Sequence, residues 1–228
     1  MRWYYPVGAL VGGVAAIFCF GIATGLLGHD LLRPKELNLT LFFNRPDDFS
    51  DKLQKKPLHI SNHFIEGKRV NNQRFHHATW HNVHLKNSEF SKVQFDSMLL
   101  DTATLEQVDF SDSILSNTTF KDVIMHSKTD KRFDFPRDFN GARMQQVVFE
   151  NSVLHNIDFR DMPYAEIHFI NSDLENVSFA GSKVKLVFEN TTARGLDLSS
   201  LQADSEYACH DSPDIECIEK AILNSDAS

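Results

Sequence analysis

Glycine and proline are scarce in this chain of 228 residues, at 10 Gly and 7 Pro. That excludes a collagen-like repeat and a flexible linker protein. Cysteine is scarcer still, limited to Cys19, Cys209 and Cys217. The Cys209–Cys217 spacing matches no common zinc motif, and no second pair exists to complete a four-ligand site. No nucleophile elbow, phosphate loop or catalytic carboxylate pair is recognisable. The expectation is a protein that is not an enzyme and uses neither cofactor nor metal. Cations are in deficit, with 23 Lys and Arg against 31 Asp and Glu and a net charge of −8. Direct nucleic-acid binding draws most of its affinity from Lys and Arg on phosphates, so it is not expected. Trp and Tyr are few, at 2 and 4, against 19 Phe. A fold that wants so many copies of one flat, wholly apolar side chain has to be found.

Residues 7–27 carry no charged side chain. Twenty-one residues at 1.5 Å each span roughly 30 Å, the thickness of a hydrocarbon core. The segment 1–28 is therefore read as a retained single-pass anchor, in preference to a cleaved signal peptide, because the run exceeds a usual h-region. Gly8 with Gly12 and Gly21 with Gly25 are GxxxG pairs that let a second helix approach closely in lipid, a partner's or another copy's. Trp3, Tyr4 and Tyr5 suit an interfacial belt. The two C-terminal cysteines favour an oxidising compartment, which puts the N-terminus in the cytoplasm and the C-terminal domain outside it.

From residue 60 every fifth side chain is apolar: Ile60, Ile65, Val70, Phe75, Trp80, Leu85, Phe90, Phe95, Leu100, Leu105, Phe110, Leu115, Phe120 and Met125. After a break the period resumes at Phe149, Leu154, Phe159, Tyr164, Phe169, Leu174, Phe179 and Val184, slips by one to Phe188 and fades near Leu198 and Leu201. Two residues before the centres from Trp80 to Met125 the side chain is small or β-branched, with Met98 as the departure, whereas the first three centres have weak flanks, such as Lys68, and irregular coils are expected there. Two residues after, it is often Asn or Asp: Asn82, Asn87, Asp112, Asn117, Asp122, Asn151, Asn156, Asp161, Asn171 and Asn176. A helix cannot sustain a period of five, because successive centres would rotate around its axis. A flat strand cannot either, because its faces alternate with period two. A chain that turns a corner every five residues can, with Asn or Asp at the corner, where they tolerate unusual dihedrals.

The stretches VDFSDSILSNTTF and SDLENVSFAGS carry the resemblance: the pattern is similar to that of the pentapeptide-repeat family over about residues 60–125 and 147–188. The resemblance implies an all-β, right-handed, four-sided β-helix with four pentapeptides per coil, so that residues 20 apart stack. Phe75, Phe95 and Leu115 would form one ladder, Phe90 and Phe110 another, Phe149 and Phe169 a third. The 22 centres then make five to six coils, a shaft of roughly 25 Å at the strand spacing. The expected organisation is an anchor at 1–28, a linker and N-terminal cap at 29–57, the β-helix at 58–201, and a C-terminal cap and tail at 202–228. Leu37, Leu39 and Leu41 alternate like a strand. Ser212 and the apolar residues that follow it predict a short capping helix, stapled by a Cys209–Cys217 disulfide.

Residues 126–146 break the period and read as a loop that leaves the shaft. They hold five basic residues interleaved with Phe133, Phe135 and Phe139. Loops on rigid scaffolds often carry function, and Arg with aromatics is the composition of interface hot spots. Arg132, Phe133, Phe135, Arg137 and Phe139 are the candidate partner-binding residues; the alternative is that the loop's Phe residues pack back on the shaft. Eleven His residues suggest metal, but in this fold His76 and His81 lie on different faces and meet only Asp96 and Asp101 one coil on. The expected function is a membrane-anchored scaffold or accessory subunit that holds a membrane protein partner through its anchor helix and the 126–146 loop. The alternative is an acidic mimic of nucleic acid, an inhibitor or immunity-type protein acting on a DNA-binding enzyme.

Overall fold

A computed structural model describes residues 57–128, 138–198 and 200–215. These form an all-β solenoid of about seven turns. Every strand pairing in it is parallel, and each strand is in register with the next coil except for one shift where Arg143–Glu150 meets Tyr164–Ile170. Strands of three residues alternate with strands as long as Thr79–Glu89, where the chain runs along two sides without losing its pairing.

Each side buries its centre and the residue two before it, while the residues on either side of the centre face outward. The corner residue then takes the left-handed conformation. All ten Asn and Asp corners predicted from sequence have positive φ, among them Asn82 at 51°, Asp122 at 53° and Asn176 at 53°. Lys92, Thr102 and Gln107 adopt it too, at 53° to 57°. Such residues rarely do so of their own accord, so the geometry of the coil imposes the corner and Asn or Asp only eases it. Where the small position is Ser or Thr, its hydroxyl stitches coils together: Ser113 Oγ donates to the Phe90 carbonyl (2.7 Å) and Ser182 Oγ to the Phe159 carbonyl (2.7 Å).

The excess of phenylalanine is explained by two interior ladders. One runs Phe90, Phe110, Phe139, Phe159 and Phe179, with centroid spacings of 5.6, 5.2, 4.9 and 4.8 Å and nearly parallel rings. The other carries Phe120, Phe149, Phe169 and Phe188 at 4.6, 5.2 and 5.4 Å. The strand spacing of a sheet is close to the distance at which rings stack. The two ladders meet edge to face, as in Phe139 on Phe149 at 6.2 Å and 78°. Eleven Phe are buried in the core, which accounts for most of the skew.

Several expectations are corrected. The ladder through Ile60, Trp80, Leu100, Phe120, Phe149, Phe169, Phe188 and Cys209 has eight rungs, which makes the shaft longer than the five to six coils expected. The first centres, with weak flanks in sequence, pair as regularly as the rest. Tyr164 is not an interior centre: it is 41% exposed, and Ala165 takes the rung above Met144. One extra residue between Met162 and Ala165 shifts the pairing, and the long side chain is pushed outward. The slip to Phe188 is a 19-residue coil, as the Phe169–Phe188 pairing shows. Within the predicted cap, Glu206–His210 is a strand on the last coil; the helix expected beyond Ser212 lies almost wholly outside the described residues. The anchor and linker, including Gly8, Gly12, Gly21 and Gly25, also lie outside them. Among the described residues no helix is long and apolar enough to cross a membrane.

Gly141 turns a corner at φ 70°, and a Cβ there would sit 2.7 Å from Asp112 Oδ1 one coil below. Gly67, at φ 64°, has nothing within 4 Å of the same position. Gly141→Ala should therefore cost about 1–3 kcal/mol and Gly67→Ala clearly less. Denaturant midpoints of the two variants check this, and equal values would mean that the Asp112 side chain simply swings aside.

Candidate partner-binding site

The break in the period is smaller than the sequence suggested. Phe120 pairs with Phe149, and Val153 with Ile124. Each pair is 29 residues apart (149 − 120 and 153 − 124), against 20 for Leu100 and Phe120. One coil thus contains nine additional residues, and the ladders continue across them. Residues 126–128 and 138–146 belong to the shaft.

Phe139 is accordingly not a loop residue. It is fully buried and stacks between Phe110 (5.2 Å) and Phe159 (4.9 Å), so it cannot bind a partner. Arg143 likewise begins the strand Arg143–Glu150. Arg132, Phe133, Phe135 and Arg137 lie outside the described residues. The signal for Phe139 was present in the sequence: Ala142 and Met144 repeat the small-x-apolar pattern, five residues after a Phe.

The two stems of the insertion meet at Ser127 and Asp138. The Ser127 hydroxyl donates to Asp138 Oδ1 at 2.5 Å, and the Asp158 amide donates to Asp138 Oδ2 at 2.9 Å. Asp138 faces outward by register yet is 1% exposed. Burial pushes its carboxyl up to about 7 against the help of those two donors, and the nearby carboxylates of Asp158 and Asp109 add to the rise. Asp158 is itself bound by the Arg160 guanidinium at 2.6 Å. Nothing in the amino-acid pattern marked Asp138, because its burial depends on where the chain re-enters the coil.

Elsewhere several outward carboxylates are matched with cations or imidazoles on neighbouring coils. His76 Nδ1 lies 3.1 Å from Asp96 and His81 Nδ1 2.9 Å from Asp101, as the 20-residue stack predicted. The His76 hydrogen bond is the main influence that holds Asp96 below the usual carboxylate range. Lys86 does the same for Glu106. Among the described residues no three His, Cys, Asp or Glu side chains converge as they stand on a point that could hold a metal ion.

A period of five, an inward pair on each side and a left-handed corner after it define the fold as a β-solenoid built from five-residue sides, the architecture of pentapeptide repeats. No protein-family model and no curated protein matches it. Among solved structures it is similar to Rfr23, a pentapeptide repeat protein from the cyanobacterium Cyanothece 51142, with 13% identity over 66% of this chain and 91% of that one and a TM-score of 0.31. It is also similar to QnrB1, a plasmid-mediated fluoroquinolone resistance protein, with 10% identity, 70% and 85% coverage and a TM-score of 0.31. HetL, a pentapeptide repeat protein involved in heterocyst differentiation regulation in Nostoc sp. PCC 7120, gives 10% identity, 66% and 84% coverage and a TM-score of 0.21.

Proposed function

We propose that the chain is a non-enzymatic scaffold or accessory subunit, held in a membrane assembly by its apolar N-terminal segment and bound to a membrane protein partner through residues 129–137. One observation carries this reading: nine residues are inserted into a single coil while the ladders on either side keep their register. The repeat dictates the buried and corner positions of the shaft, so partner-specific sequence concentrates where the repeat is interrupted. The inserted segment TDKRFDFPR combines Lys131, Arg132 and Arg137 with Phe133 and Phe135. A cationic segment implies an acidic patch on the partner and binding that weakens with salt.

The test is a variant with Arg132, Phe133, Phe135 and Arg137 all changed to Ser and Phe139 retained, because truncating Phe139 would open the ladder. The variant should keep the parent's melting temperature and lose co-purification with the membrane partner. Full binding by a folded variant would transfer the interface to the faces of the shaft. The alternative, an acidic mimic of nucleic acid, is the weaker reading. On several coils a carboxylate is paired with a cation, as in Glu89 with Arg69, Glu106 with Lys86 and Glu175 with Arg194, which interrupts the anionic strip a mimic requires.

The same reading places the shaft outside the cytoplasm, with Cys209 and Cys217 stapling its far end. Cys209 stands on the last rung, beside Phe188; Cys217 lies outside the described residues. A loop this short yields about 2–3 kcal/mol on closure. Reduction should lower the melting temperature of the wild type and leave Cys217→Ser unmoved. Two titratable thiols at these positions in protein purified under oxidising conditions would overturn the pairing.

A further inference from the structure

The side that carries Leu105, Met125 and Leu154 presents a column of outward residues in register: Lys86, Glu106, His126, His155, Glu175 and Arg194. The order is nearly palindromic, with a cation, a carboxylate and an imidazole on either side of a centre. Among the described residues His126 and His155 are the one pair of histidines that face each other across adjacent strands. We propose that this pair, with Glu106 or Glu175, binds a divalent transition-metal ion, and that zinc suits it best.

The backbone has already set the spacing. In-register parallel strands hold neighbouring side chains about 4.8 Å apart at their bases. Two nitrogens at about 2.0–2.1 Å from a tetrahedral zinc lie roughly 3.3 Å from each other, and imidazoles converge to that by turning about their side-chain bonds. Neutral imidazole is a common metal ligand, and both groups are half-exposed. A carboxylate lies one strand away on each side, completing a set of nitrogen and oxygen donors that zinc accepts and magnesium, which demands oxygen, does not.

The outer members of the column fit supporting roles. Lys86 Nζ lies 3.2 Å from Glu106 Oε2 and Arg194 Nη2 3.8 Å from Glu175 Oε2. A ligating carboxylate is commonly held by such a second donor. In the structure His155 Nε2 sits 3.6 Å from Glu175 Oε2, and Glu106 accepts from His84 Nε2 at 3.0 Å. Binding requires the His126 ring to turn and one carboxylate to exchange its imidazole partner for the ion. His126 and His155 belong to the two coils that the inserted residues separate in sequence. An ion between them would tie those coils together beside the point where the insertion leaves the shaft.

Untagged full-length protein should bind one zinc ion per chain by calorimetry at pH 7.5, ignore magnesium, and melt at a higher temperature with zinc than without. His126→Ala and His155→Ala should each weaken zinc binding at least tenfold, and Glu106→Gln or Glu175→Gln by about 10–100-fold. Both histidines are on the surface, so unchanged far-UV circular dichroism is expected. Cobalt on the unmodified chain gives a readout that needs no variant, namely the intense visible absorption of a tetrahedral site. The proposal fails if zinc does not bind in the micromolar range, if cobalt shows only the weak absorption of an octahedral ion, or if the double His variant binds as tightly as its parent.

Discussion

Phe110→Ala is expected to destabilise the shaft by about 3–5 kcal/mol, the cost of truncating a large aromatic in a site that cannot collapse. Phe110 is 1% exposed. It lies between the rings of Phe90 at 5.6 Å and Phe139 at 5.2 Å, with Phe95 edge-on at 5.9 Å. The backbone on either side is bound into both neighbouring coils, so it cannot move inward to fill the hole. Asp112→Asn, two residues along at a left-handed corner (φ 57°), keeps a side chain suited to that conformation and should cost less than about 1 kcal/mol. Urea denaturation of the two variants decides the matter. Comparable losses would contradict the division of the repeat into interior centres and exposed corners.

The second large effect is on pH dependence. Asp138 has a folded-state pKa near 7, raised from an ordinary 3.8, so the folded chain holds a proton that the unfolded chain has lost. Its contribution is fully present below about pH 4 and is lost as pH rises to about 7. The difference of roughly three pH units corresponds to about 4 kcal/mol at most. Asp138→Asn reproduces the protonated group: its Oδ1 accepts from the Asp158 amide and its Nδ2 donates to Ser127 Oγ. Measured across pH 4 to 8, the stability of the wild type relative to Asp138→Asn should fall steadily to about pH 7 and then level. Groups common to both proteins, such as Asp96 and Glu106, cancel in that difference. A flat difference would mean that Asp138 reaches solvent and ionises normally.

Much of the shaft was legible because its rule is local. Once the corner falls every five residues, which side chains point inward follows, and with it the stacks of Phe75 on Phe95 and His81 on Asp101. What the pattern could not convey was counted along the axis, not along the chain. Whether residues 126–146 form a long loop or a short insertion depends on which rung the chain rejoins. Phe139 belonged to the ladder although it stood among charged neighbours. Tyr164 matched the period but lost its place to Ala165, because one extra residue upstream displaced it. Asp138 was invisible for the same reason: an outward position becomes buried only when two distant stems are drawn together there. The interruption of the repeat was therefore located in the right coil, but its boundaries were too wide by the residues that re-enter the coil.

The hydrogen bonds between coils run along the shaft, and each coil touches only the one before and the one after it. Force applied to the chain ends is then carried by a single interface at a time. A molecule built this way yields by unwinding from its ends, one coil after another, with the middle still folded. A coil with nine additional residues releases more slack than its neighbours when it opens. In a single-molecule pulling record it would stand out as one long step in an otherwise even staircase.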